Sequence, residues 1–147
     1  LEPAFVKLLT QAGAYAPDSA GTLMTTDVVS VRTDSKLLSL IERLKALPRK
    51  KLPVLCFVTS KDGELKGVIR TAELAFYAPQ SVCGSVMSQT ISLRPQDGAE
   101  TARQAFLKAE LDALPVTDEN NILLGSLDKY ALPASADKKP FWRRLTD

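Results

Sequence analysis

Met24-Thr25-Thr26-Asp27-Val28-Val29-Ser30-Val31-Arg32 returns later in the chain as Met87-Ser88-Gln89-Thr90-Ile91-Ser92-Leu93-Arg94. Val29 lines up with Ile91 at an offset of 62, and Leu65-Lys66-Gly67 lines up with Leu123-Leu124-Gly125 at an offset of 58. Residues 24–74 and 87–132 carry the same cues in the same order, which marks a duplicated supersecondary unit. The fall in offset assigns about four extra residues to the first copy, around residues 47–51. The Leu-Pro-Val triplets that begin at Leu52 and Leu114 are out of this register. Cys56-Phe57-Val58 is the counterpart of Leu114-Pro115-Val116.

Each copy reads strand, helix, strand, strand, helix. In the first, residues 28–31 are rich in β-branched valine and predict a short strand. Asp34 or Ser35 is placed to cap the next helix. Leu37, Leu40, Ile41, Leu44 and Leu47 then recur at three- and four-residue spacing, one buried stripe of a helix that Pro48 ends. Arg49-Lys50-Lys51 reads as a solvated loop. Residues 52–58 are fully apolar, as in a strand covered on both faces. Lys61-Asp62-Gly63 turns the chain into a return strand over residues 65–69, and residues 71–76 begin a second helix. The second copy predicts strands over 90–93, 114–116 and 122–127. Asp97 with Glu100 three residues later has the spacing of a capping box. Ala102, Ala105, Phe106 and Ala109 form its buried stripe, and residues 128–132 are a helical stub before Pro133.

The 147 residues are 45% apolar, enough for a packed core, and the net charge is +2 from 19 basic and 17 acidic side chains. That balance gives no electrostatic footprint for nucleic acid. There is no histidine, which removes Ser-His-Asp and Cys-His catalysis and Cys/His zinc sites together. Cys56 and Cys83 lack a C-x-x-C spacing and read as reduced, packed thiols, with Cys83 placed in a loop beside Gly84. No apolar run reaches the ~18 residues of a membrane span. No phosphate loop, paired carboxylates or activated nucleophile stands at motif spacing, so the chain is not read as an enzyme.

Ahead of the first copy, Phe5, Val6, Leu8 and Leu9 suit one helix face and Gly13 a stop. Asp18 or Ser19 then suits the cap of a short helix reaching Met24. The chain does not open on Met and reads as a piece of something longer. At the other end, Lys138-Lys139-Pro140-Phe141-Trp142-Arg143-Arg144 mixes basic and aromatic residues, a pattern suited to a cytoplasmic membrane interface.

The Met24-Thr25 and Met87-Ser88 openings, the apolar middle strands, and Gly67-Val68-Ile69 and Gly125-Ser126-Leu127 before a final helix resemble a tandem pair of cystathionine-β-synthase (CBS) domains. The stretch from Tyr15 to Thr25 looks like the join between helical domain and CBS pair in MgtE-type magnesium transporters. The resemblance implies an α+β (α/β) fold, two β-α-β-β-α units packed with pseudo-two-fold symmetry, plus an N-terminal helical segment. It divides the chain into residues 1–18 (end of a helical domain), 19–79 (first CBS domain), 80–133 (second CBS domain) and 134–147 (a basic juxtamembrane tail). The long acidic connecting helix common in such transporters has no counterpart here.

Two ligand chemistries follow from the resemblance. CBS pairs commonly hold AMP or ATP between the copies, through a Thr or Ser three residues after the strand glycine and an Asp three further on. Arg70 and Glu73 occupy those places in the first copy, and Asp128 and Ala131 in the second. The second chemistry is Mg2+, which takes carboxylate oxygens and keeps several waters. By resemblance, Glu100 and Glu110 fall on acidic positions of the transporter family, with Asp112 close by, while Gly98, Ala131 and Ala134 stand where further acids are expected. Glu73 and Glu110 also have ordinary readings as exposed acids, and Glu100 as part of a cap.

The expectation is a cytosolic, Mg2+-sensing CBS-pair portion of a magnesium transporter. It would act as a homodimer on the cytoplasmic side of the inner membrane, joined to a transmembrane domain of the same full-length chain. The alternatives are an adenosine-nucleotide-binding regulatory module of another protein, and a dimerisation module with an empty cleft.

Overall fold

In a computed structural model that describes residues 15–133, the chain forms two copies of one unit around three clusters of buried side chains. The elements are α1 (Ala20–Leu23), β1 (Ser30–Arg32), α2 (Leu37–Lys45), β2 (Leu55–Thr59), β3 (Leu65–Arg70), α3 (Cys83–Val86), α4 (Ala99–Ala109), β4 (Ala113–Thr117) and β5 (Leu123–Asp128). The expected helices and hairpins are present at the expected offset. The second helix of each unit is a 3-10 turn, Thr71–Phe76 and Lys129–Ala131. The extra residues of the first unit are a 3-10 turn, Arg49–Lys51, between α2 and β2. Residues 1–14 of the segment read as a helical end, and the whole basic tail, lie outside the described residues.

In the first unit β1 runs parallel to β2, and β2 pairs antiparallel with β3. β4 and β5 repeat the β2–β3 hairpin, with Ala113 opposite Asp128 where Leu55 is opposite Arg70. Both hairpins slip register at the same place, Val58/Thr59 and Val116/Thr117. The strand expected over 90–93 reduces to one bridge, Leu93 to Val116. The reason is Pro115. Its counterpart Phe57 donates its backbone N–H to the Val29 carbonyl at 2.9 Å. Proline has no N–H to give, so that rung of the ladder is lost.

β2 is buried along its whole length because its two faces serve different cores. Cys56 and Val58 point into the first unit's core with Leu37, Leu40 and Leu44. Leu55 and Phe57 point into a cluster between the two units, with Leu65, Val68 and Ala113. The second unit's core gathers Leu93, Ala102, Phe106, Leu114, Val116 and Leu127.

The side-chain caps expected at the long helices are absent. Lys36 and Gly98 are the N-caps of α2 and α4, and neither makes a side-chain cap bond. Asp97 instead accepts from the Arg94 backbone N–H at 2.8 Å, and Asp34 lies 3.7 Å from Arg32. The first N–H groups of α2 donate to backbone carbonyls of the lead-in to the second unit, Leu37 to Ser81 and Leu38 to Pro79. Tertiary partners thus satisfy donors that a capping side chain would otherwise take. Ser19 is the N-cap of α1 by position, and its hydroxyl donates back to Ala16.

The lead segments are exchanged between the units. Thr25 forms two backbone bonds with Ser126 of the second unit, each 2.9 Å, and Ser88 forms two with Val68 of the first, 2.8 and 2.9 Å. Ala20, Leu23 and Met24 pack in the second core, and Cys83, Val86 and Met87 in the first. The approach requires glycine. A Cβ on Gly125 would sit 2.5 Å from the Thr25 carbonyl oxygen, and one on Gly67 2.8 Å from the Met87 sulfur and 2.9 Å from the Ser88 carbonyl. The hairpin tips close the pseudo-two-fold arrangement. Leu65 N–H donates to Asn121 O and Leu123 N–H to Gly63 O.

Gly125→Val should lower unfolding stability by about 2–4 kcal/mol, because the new side chain meets backbone rather than a movable tip. Gly98→Ala, where nothing lies within 4 Å of the added carbon, should stay within about 1 kcal/mol. Urea unfolding of the two variants decides whether the close approach at β5 is structural.

Candidate functional site

The exchange of lead segments makes two clefts, one beside each hairpin. The larger, about 600 Å³, lies where β3 meets the segment from Ser88 to Ile91. Val68 and Leu111 give it an apolar wall, Arg70 and Lys108 bring positive charge, and Glu73 and Ser88 supply oxygens. Its counterpart, about 140 Å³, is lined by Thr25, Asp27, Lys51, Ser126 and Asp128 among others. The duplication supplies the same frame twice, and the side chains then make the two clefts chemically unlike. The first has two cations and one acid. The second has two acids and one cation.

Arg70 and Glu73, expected three residues apart at a nucleotide contact, do stand together. Arg70 is the last residue of β3 and Glu73 lies in the following 3-10 turn, and their side chains are 3.6 Å apart. Both are roughly half exposed, so the pair contributes little to stability. A ligand with anionic groups and hydroxyls meets both signs of charge at this lip. In the smaller cleft Asp128 turns its carboxylate onto the Tyr130 N–H at 2.9 Å. Ser88, Thr90 and Lys108 were not singled out from the sequence. Ser88 sits in the second copy yet serves the first copy's cleft, and only the recurrence of Met-Thr and Met-Ser openings hinted at a special segment.

The acids expected to hold magnesium do not converge on one point. Glu100 is in the first turn of α4 and Glu110 follows its last turn, about 15 Å away at 1.5 Å per residue. Glu100 is exposed and held by Arg103 at 2.9 Å and Gln104 at 3.3 Å. Those hydrogen bonds, to Gln104 first and Arg103 second, keep its carboxyl below the usual glutamate range. Glu110 stands in the left-handed region at φ 55°, where it ends α4. Asp112 is two residues on, with its carboxylate 3.8 Å from Lys129. Among the described residues no group of three or more His, Cys, Asp or Glu is placed to hold a metal ion.

Cys83 is not in a loop. It opens α3, is fully buried, and shares the first core with Cys56. Burial pushes both thiols above their ordinary value. For Cys56 a hydrogen bond with Thr71 partly opposes the rise, and for Cys83 the neighbouring Cys56 adds to it.

Two glycine-threaded hairpins trade lead segments across a pseudo-two-fold axis, with a ligand-sized cleft beside one of them, and this defines a paired-repeat module. The family model of the CBS domain matches residues 20–79 and 83–132, and the chain belongs to that family. The magnesium transporter MgtE of Thermus thermophilus is 27% identical over 113 residues, 76% of this chain and 25% of the transporter. The cytosolic domain of the Mg2+ channel MgtE, in a crystal structure with ATP, superposes with a TM-score of 0.78 at 25% identity, over 89% of this chain and 54% of that one. The soluble part of a magnesium transporter has the same fold, with a TM-score of 0.75 at 24% identity, over 84% of this chain and 49% of that one. The chain thus spans about a quarter of the length of the curated relative it matches.

Both thiols should resist an aromatic disulfide reagent at pH 8 in the native protein and react at once in denaturant. Because the folded values are raised, stability is unaffected below the ordinary thiol value of 9.0 and falls as pH rises beyond it. Fast labelling of either thiol under native conditions contradicts the burial.

Proposed function

We propose that this CBS pair is the cytosolic regulatory portion of a magnesium transporter and that Mg2+ governs how it packs. The observation that supports this most directly is the likeness of nearly the whole module to MgtE cytosolic regions, together with its identity to the curated transporter. In this reading residues 19–79 and 80–133 are the two CBS domains, and the module works as a homodimer. It lies on the cytoplasmic side of the inner membrane, joined to a transmembrane domain of the same full-length chain. Among the described residues no helix is long and apolar enough to cross a membrane. The mechanism needs no bond chemistry. Carboxylates crowded at a packing surface repel, and a divalent cation that prefers the closed arrangement shifts the population toward it by its differential affinity.

Glu110 and Asp112 are the acids this reading favours over Glu100. They follow the C-terminal end of an 11-residue helix, where the unpaired carbonyls are negative and attract a cation. Glu100 sits at the positive end, already satisfied by Arg103.

A second reading has its own support. Arg70, Lys108, Glu73 and Ser88 gather on a cleft large enough for a nucleotide, and the MgtE cytosolic domain was crystallised with ATP. Glu73 would then accept hydrogen bonds from ribose hydroxyls, and Arg70 and Lys108 would face the phosphates.

Thermal unfolding across millimolar MgCl2 tests the first reading, since a ligand that binds only the folded state raises its stability in proportion to ln(1 + [L]/Kd). Glu110→Gly is the decisive variant. It should be more stable than the parent by about 0.5–1 kcal/mol, because glycine suits the left-handed position, and yet lose most of the Mg2+ response. A flat Mg2+ response in the parent overturns the reading. For the second, calorimetry with ATP and AMP should show Glu73→Gln weakening binding about tenfold, the cost of one charge-assisted hydrogen bond. Heat from ATP with none from Mg2+ exchanges the two readings.

A further inference from the structure

The corner of the first unit that follows α2 is strongly basic. Residues 43–61 hold six basic side chains and no acid. The equivalent residues of the second unit, 105–119, hold Lys108 alone against Glu110, Asp112, Asp118 and Glu119. The two copies share one frame, so folding does not require the charge found at either corner. Over the whole units the same asymmetry is a net +4 for residues 19–79, from ten basic and six acidic side chains, and a net −3 for residues 80–133, from four basic and seven acidic.

Arg43 and Lys45 suit the negative end of α2, and Arg43 also donates to the Ser30 carbonyl. Arg49, Lys50 and Lys51 have no such role. They lie beyond the helix in the 3-10 turn, the insertion that the second unit lacks. All three are exposed, and among the described residues neither they nor Lys45 lie within ion-pair distance of a carboxylate. The backbone here is fixed. Lys51 N–H donates to the Pro48 carbonyl at 2.9 Å, and Thr71 N–H to the Val54 carbonyl at 3.1 Å. The cations are therefore displayed from an ordered turn, which lowers the entropic cost of a contact. Beside them Leu52 and Val54 stand 43% and 52% exposed.

We infer that this basic corner rests on an anionic lipid surface, with Leu52 and Val54 entering the headgroup layer beside it. Each Lys or Arg near an anionic leaflet strengthens partitioning about fivefold, an attraction that fades over a Debye length of about 8 Å at physiological salt. The exposed aliphatic neighbours add apolar burial to the same contact. The net-negative second unit is repelled by that surface, so the separation of charge turns the first unit toward the lipid. Nucleic acid fits less well. Single strands are held by stacking on aromatic rings, and the one aromatic residue of 43–61, Phe57, is buried. The contact rests on the membrane-side placement named above and needs no Mg2+.

Flotation of the 147-residue chain with lipid vesicles, without added Mg2+, tests the contact. The chain should bind vesicles of mixed phosphatidylglycerol and phosphatidylcholine and ignore pure phosphatidylcholine. Binding should fall at least tenfold between about 50 mM and about 500 mM salt. Arg49 and Lys50 are the charges to change, because Lys51 also lines the smaller cleft beside Asp27 and Asp128. Arg49→Gln with Lys50→Gln should weaken binding about 20-fold, at about fivefold for each charge, while Arg49→Lys with Lys50→Arg should retain it. Urea unfolding should match the parent in both pairs, since the side chains are exposed. Failure to bind either vesicle overturns the contact and leaves the Mg2+ reading standing. Vesicle binding by a chain whose stability ignores Mg2+ keeps the contact and removes that reading. Binding that the neutralised pair leaves unchanged belongs to another basic segment, such as residues 138–144, and overturns the assignment. A DNA duplex that binds through Arg49 and Lys50 while the vesicles do not overturns it equally.

Discussion

Everything in this module follows from backbone pairing between each hairpin and the other unit's lead segment. Thr25 on Ser126 and Ser88 on Val68 are each a double hydrogen bond, and both pass over a strand glycine that leaves no room for a side chain. A two-stranded hairpin with one helix buries too little apolar surface to stand alone. The exchange gives each core three more apolar side chains and closes the space between the sheets around Phe57 and Leu55. Neither unit is complete without the other, so a ligand or contact that moves one lead segment acts on both cores.

The same exchange explains where a ligand fits. A cleft forms where a lead segment leaves the strand it has paired with, so its lining comes from both copies. Duplication makes two such clefts, and a handful of substitutions makes them unequal. Arg70 against Asp128 and Thr90 against Asp27 invert the charge of the lip. The 3-10 turn Arg49–Lys51 brings Lys51 to the smaller cleft and has no counterpart at the larger one. An internal repeat is therefore a guide to frame and a poor guide to function, because the chemistry lies in the residues that differ.

Much of the fold was legible. The helical stripes of Leu37 to Leu44 and Ala102 to Phe106 and the two hairpins depend on local periodicity, and periodicity survives packing. The caps were misread for a physical reason. Asp34 and Ser35 have the right chemistry and position, yet the first donors of α2 meet the backbone carbonyls of Ser81 and Pro79, and Asp97 turns its carboxylate back to the Arg94 N–H. The strand over 90–93 had the right composition. It lost its partner because Pro115, on the neighbouring strand, offers no N–H. Cys83 was misplaced because its burial depends on a core built mostly by the other copy. Arg70 and Glu73 were named from their spacing after the strand glycine Gly67 in the family resemblance, and both line the larger cleft. Lys108 and Ser88 were not, since they reach the cleft from far along the chain.

By itself the sequence determined the duplication, its register, the faces each long helix buries, and the absence of histidine-based chemistry, all of which are carried by spacing and composition. Tertiary structure alone decided which unit owns each lead segment, how the helix ends are satisfied, and that one cleft is roomy and the other small. Those outcomes depend on which backbone groups approach from elsewhere, and no local pattern records the approach of a distant strand.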